Sequence, residues 1–175
     1  MPAASTTEIA ARVLVGGVGY TNLRDLSAGP TLVDRLRRAE WPRGVDVEDL
    51  SAGAIHLVHE LQSRRPYTRA VLVAAVARGR EAGSIHERRW EHPVVPRDEV
   101  QERVGEALTG VISLDALLVV LDHFGALPAD TTVIEVEPVD LGWGEGFSPP
   151  VASAIPVLEA RVRAAALRAR QVLAS

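Results

Sequence analysis

The apolar positions of this chain fall into short runs separated by longer amphipathic stretches, and the alternation predicts the elements in order. Residues 11–18 (Ala-Arg-Val-Leu-Val-Gly-Gly-Val) form a valine-rich run of the kind found in a strand buried on both faces. A polar loop leads to a helix start with Ser27 as N-cap candidate and Pro30 in the first turn. On that helix Leu32, Val33, Leu36 and Ala39 share one face, and Asp34, Arg35, Arg37 and Arg38 turn to water. Pro42 and Gly44 end it, and Val45–Glu48 predicts a second strand. Ser51 is the expected cap of a helix running through Gln62, striped by Ile55, Val58 and Leu61.

After Pro66, Arg69–Val76 predicts a central strand. Gly83–Glu91 alternates side chains as an antiparallel edge strand does. Helices follow over Arg97–Leu108 and Ser113–Phe124, the second closed by Gly125 and Pro128. Thr131–Val136, rich in β-branched residues, predicts the last strand. Ser148-Pro149-Pro150 opens a long terminal helix, which Pro156 should kink or delay. Strands alternating with helices imply an α/β three-layer sandwich. Its sheet is mostly parallel, with about five strands, helices on both faces and one antiparallel edge strand. The whole of 1–175 reads as a single domain, without internal repeat, low-complexity tract or linker.

In such sheets ligands bind outside the carboxyl ends of the strands. The loops Gly19–Gly29, Glu48–Ser51, Val76–Gly83 and Glu137–Ser148 are therefore expected to form one functional rim.

Composition narrows the chemistry. Cysteine is absent, which excludes disulfides, thiolate metal sites and a cysteine nucleophile. The net charge of −4 gives no electrostatic reason to expect nucleic acid. No apolar run is long enough to span a bilayer, and Met1–Ile9 lacks the order of a signal peptide, so a soluble cytoplasmic protein is expected. Every Lys-or-Arg position is arginine.

Several site types are poorly matched. Gly17-x-Gly19 with Glu48 and Asp49 offers part of a dinucleotide fingerprint, but Asn22 stands at the third glycine and the loop before the helix is too long. Neither Gly-x-Ser-x-Gly nor His-Glu-x-x-His occurs, and Ser27, Ser51 and Ser148 read as helix caps. His56 and His59, at i and i+3, have a spacing that can bind a metal, with Asp49 and Glu60 near in sequence; the competing reading is a polar helix face. His86 and His92 are expected exposed on the edge hairpin, and His123 lies near a helix C-terminus.

Four rim segments resemble one family. Gly17-Val18-Gly19 followed by Leu23, Asp25 and Gly29 is similar in spacing to the opening of the [NiFe]-hydrogenase maturation proteases. Ser51–Leu61 resembles their second motif and its helix, and Leu72–Gly79 with Gly83 their central strand and turn. Glu137-Pro138 with Gly146-Phe147-Ser148-Pro149-Pro150-Val151 resembles the closing motif. The likeness runs in order from Val13 to Val162. It implies an α/β endopeptidase that recognises a nickel-loaded hydrogenase large subunit and removes its C-terminal extension.

The resemblance also implies nickel contacts from an acid in the first loop, an aspartate ending the central strand and a histidine before a later helix. Here those places hold Leu26, Ala74 (Ala75 in the next register) and, near the last, Gly110. None carries a side-chain donor suited to a divalent metal. Tyr20 replaces the family's asparagine, and Pro30 follows Gly29. Asp25 and Glu48 remain as rim acids. Tyr20, Leu26, Trp143 and Phe147 are expected to converge on the rim, either as a partner surface or as a plug for the lost site; Trp41 and Trp90 are the other large apolar residues near loops or edges. Two readings follow. The first is a catalytically degenerate pseudoenzyme, without nickel ligands, that binds a [NiFe]-hydrogenase large subunit or its precursor as assembly factor or chaperone. The second is a working endopeptidase with a non-standard metal site, for which His56 and His59 are the candidates.

Overall fold

The computed structural model describes residues 11–108 and 113–168. The strands are β1 (Val13–Val18), β2 (Val45–Asp49), β3 (Arg69–Ala75), β4 (Ile85–Arg89) and β5 (Thr131–Val136). The helices are α1 (Ala28–Leu36), α2 (Ala54–Ser63), α3 (Arg97–Leu108), α4 (Leu114–His123) and α5 (Pro149–Leu167), with a 3₁₀ turn at Arg24–Ser27. The sheet order is β2-β1-β3-β5-β4, parallel except for the β4–β5 pair at one edge. The predicted α/β sandwich is thus the observed one.

Strand alternation divides the core in two. Leu14, Val18, Ala70, Leu72, Ala74 and Val133 face α2, α3 and α4, where Leu57, Leu117 and Leu121 close the layer. Val13, Val15, Val71, Val73, Ile134 and Val136 face α1 and α5, meeting Leu32, Leu36, Ile155 and Leu158. Burying a leucine or valine fully contributes about 1.5–3 kcal/mol, so these two layers dominate the stability.

One contact fixes how α1 leaves the rim. A methyl on Gly29 would stand 2.2 Å from the Val18 carbonyl oxygen, and one on Gly17 would stand 2.4 Å from the Gly29 oxygen. Only glycine at both positions lets the helix backbone rest on the strand.

The local expectations at Ser51 and Pro156 are corrected, and those at Ser27 and Ser148 hold in position alone. Helix α2 starts at Ala54 with Gly53 as N-cap, so Ser51 does not cap it. Ser27 and Ser148 stand at N-cap positions without a capping hydrogen bond from their side chains, whereas Ser113 accepts one from Ala116 N–H. Helix α5 runs unbroken past Pro156 and begins without delay at Pro149. Pro156 and Ala152 lie on its exposed side, where water can reach the carbonyl that proline leaves unpaired. Among the described residues no helix is long and apolar enough to cross a membrane.

Candidate functional site

Because β1, β2, β3 and β5 run parallel, their carboxyl ends deliver four loops to one rim. Hydrogen bonds tie these loops to each other. Gly19 N–H donates to Ser51 Oγ (3.2 Å), and Ser51 N–H to Asp49 Oδ1 (2.9 Å). Gly83 N–H donates to the Glu137 carbonyl (2.9 Å). Arg24 N–H donates to the Gly144 carbonyl, and Gly144 N–H returns a bond to Asn22. The Ser51 hydroxyl thus serves the first loop rather than a helix end.

Asp25 organises the rim from beneath. It is fully buried, and its Oδ2 accepts from Val139 N–H (2.8 Å), Asp140 N–H (2.9 Å) and the Ser148 hydroxyl (2.7 Å). Its Oδ1 accepts from Ser148 N–H (2.7 Å). Burial raises the pKa of this carboxyl, but the four hydrogen bonds outweigh it, and the net shift is downward. Asp25 therefore anchors the last rim loop, and its burial keeps it from any partner surface.

Two further acids, whose side chains were assigned no role from the sequence, shape the rim. Glu137 is buried and accepts from Arg78 N–H (3.0 Å) and Gly79 N–H (2.9 Å), which pins the β3–β4 loop. Glu135, 1% exposed, faces the α2–α4 layer in register with Ala74. Arg78, Arg80 and Arg88 reach it at 2.8, 3.0 and 3.2 Å. Burial pushes its carboxyl up, yet hydrogen bonds and charge from Arg78, the Arg80 hydrogen bond and the Arg88 charge bring the net shift below the usual value. The available signal was a charged residue at an inward position of a β-branched run.

The positions that the resemblance aligns with metal contacts carry no donors. Leu26 lies in the 3₁₀ turn, partly buried against the α1–α5 core layer. Ala74 is 2% exposed in the other layer. Gly110 lies outside the described residues. Among the described residues no group of three or more His, Asp or Glu is placed to hold a metal ion. His56 is exposed with Glu60 3.8 Å away, and His59 is exposed too. The residues present at these positions do not fit a nickel site.

The remaining rim candidates divide. Tyr20 is half-buried, its hydroxyl pKa raised by burial, and its N–H donates to the Leu26 carbonyl (3.1 Å). Phe147 packs against the α1–α5 layer. Glu48 is engaged by Arg64 at 3.0 Å. Trp143 is 79% exposed, with Val139 at 55% and Leu141 at 48% on the same loop, so this tryptophan plugs nothing. Trp41 and Trp90 belong elsewhere: each indole N–H is bonded, to the Leu36 carbonyl and to Asp122. His92, expected exposed, is half-buried, with one ring nitrogen 2.6 Å from Asp122 and the other 3.2 Å from the Ala129 carbonyl.

No protein-family model matches the chain, and no curated protein matches it. Solved structures do. The hydrogenase-maturating endopeptidase HybD from E. coli superposes with a TM-score of 0.67 at 26% identity, over 88% of this chain and 91% of that one. The hydrogenase 2 maturation peptidase from a Thaumarchaeota archaeon gives 0.58 at 25%, over 86% and 95%. A [NiFe] hydrogenase maturation protease from Thermococcus kodakarensis, at 18% identity with a TM-score of 0.59, is similar in fold alone. This chain has a hydrogenase maturation protease-like fold and matches that family structurally along most of its length.

Proposed function

We propose that this protein is a catalytically degenerate relative of the hydrogenase maturation proteases. In this reading it binds a [NiFe]-hydrogenase large subunit, or its precursor, as an assembly factor. The observation that carries the reading is Ala74, or Ala75 in the next register, both buried. At the carboxyl end of the central strand, where the resemblance implies a metal-contacting aspartate, a methyl group sits sealed in the core. Leu26 supports it, being equally without a donor, and so does Asp25, whose carboxylate is spent on the adjoining loop. The exposed Val139, Leu141 and Trp143 supply apolar surface for a protein contact on the same rim.

The test is to mix the purified chain with an unprocessed, nickel-loaded large subunit and follow native mass spectra over time. The expected result is a stable complex with the precursor mass unchanged. Loss of a C-terminal peptide that depends on this chain would make it a working endopeptidase. The absence of both complex and cleavage would sink the assembly role.

A further inference from the structure

Beside Ala74 three guanidinium groups gather on one buried acid. Arg78, Arg80 and Arg88 converge on the buried Glu135, and Asp115 in the first turn of α4 is the other carboxylate they touch, 2.8 Å from Arg78 and 3.7 Å from Arg88. Three guanidinium groups thus meet two carboxylates directly. Glu137, next along the chain, is occupied by backbone N–H groups. Glu87 pairs instead with Arg168 at 2.7 Å.

The three arginines are not equivalent. Arg78 spends its side-chain nitrogens on Glu135 and Asp115. Arg88 uses Nε and one terminal nitrogen on Glu135. Arg80 gives Glu135 a single bond from one terminal nitrogen, and among the described residues it has no other partner. The side chains of Arg80 and Arg88 are 31% and 36% exposed. Both side chains are thus partly open to solvent and held by a buried carboxylate. A planar fork fixed in this way is suited to a second carboxylate. In register, Glu135 has the methyl of Ala74 on one side and the exposed His86 on the other, and neither is an acid that would use a further guanidinium.

We propose that Arg80 and Arg88, braced by Glu135 and Arg78, bind a carboxylate of a partner polypeptide at the rim. That the partner is a hydrogenase large subunit rests on the reading above; the carboxylate site does not.

The test is NMR of the ¹⁵N-labelled full chain, following the arginine Nε–Hε signals at constant ionic strength. Two probes are added in turn, acetyl-alanyl-alanine with a free C-terminus and acetyl-aspartate amide. The expected result is a saturable shift of the Arg80 and Arg88 signals with at least one probe. The one that saturates at lower concentration tells a chain terminus from an acidic side chain. Arg80→Gln should weaken the Arg88 response at least tenfold, and Arg80→Lys, which keeps the charge without the fork, should also weaken it. Shifts that stay linear and no larger than those of the exposed Arg43 would overturn the site. So would a response that survives Arg80→Gln intact. If saturation is seen but precursor capture fails, the assembly role falls and the carboxylate site stands.

Discussion

Asp25→Asn isolates the most committed group of the rim. The amide oxygen is best placed at the Oδ2 position, where it still accepts from Val139, Asp140 and the Ser148 hydroxyl. The amide nitrogen then faces Ser148 N–H, donor against donor, where Oδ1 accepted at 2.7 Å. One orphaned buried donor costs about 1–3 kcal/mol, and three bonds that lose charge assistance add to it, for a total on the order of 3–4 kcal/mol. In a domain of this size that lowers Tm by roughly 10 °C. The pH dependence gives a second reading. The folded pKa of Asp25 lies below its ordinary value of 3.8, so its contribution is complete above that value and is lost as pH falls through the folded pKa. Thermal and urea melts of wild type and variant from pH 7 to pH 3 should therefore show a wide gap that narrows below about pH 4. No gap at pH 7, or one that stays constant to pH 3, would refute the claim that an ionised Asp25 holds the loop.

Other substitutions probe separate features. Trp143→Ala, at a residue 79% exposed, should leave Tm within about 1 °C while weakening capture of the large-subunit precursor roughly tenfold or more, measured by biolayer interferometry. Gly29→Ala forces a methyl 2.2 Å from the Val18 oxygen; a loss of about 3 kcal/mol or more in urea denaturation, or insoluble expression, is expected. Glu135→Gln strips the counter-charge from three arginines. Because each arginine is about one-third exposed and water screens it, the loss should be nearer 2–3 kcal/mol than the 3–5 of a fully buried pair, again by urea melts.

What the sequence made legible followed from periodicity. The bounds of β5 and α3 agree with the reading, and for β5 the β-branched density is a local signal. The serines show where local reading stops. Ser27, Ser51 and Ser148 each have the composition of an N-cap. Instead, Ser27 donates to the Arg24 carbonyl, Ser51 accepts from Gly19 N–H and Ser148 donates to Asp25. Two of these partners lie 32 and 123 residues away, and no window sees that far. Asp25 was placed on the rim correctly in sequence but inverted in depth. Its exposure depends on the 139–148 loop folding over it, a tertiary event. Arg78 and Arg80 gave no signal at all, since a charged loop residue is the ordinary case; only the buried Glu135 makes them a cluster.

The strand order carries a consequence for synthesis. Strand β4 is made before β5 yet hydrogen-bonds only to it, and β3 keeps one edge open until β5 arrives. A nascent chain therefore carries unsatisfied strand borders on β3 and β4 for some forty residues after Arg89, up to Thr131. Its His86, Glu87, Arg88 and Arg89 set charge and polarity along one of those borders, which discourages pairing with a neighbouring chain on the same messenger. The ion pairs that hold Arg88 in the finished rim thus complete a residue that first serves to keep the unfinished sheet alone.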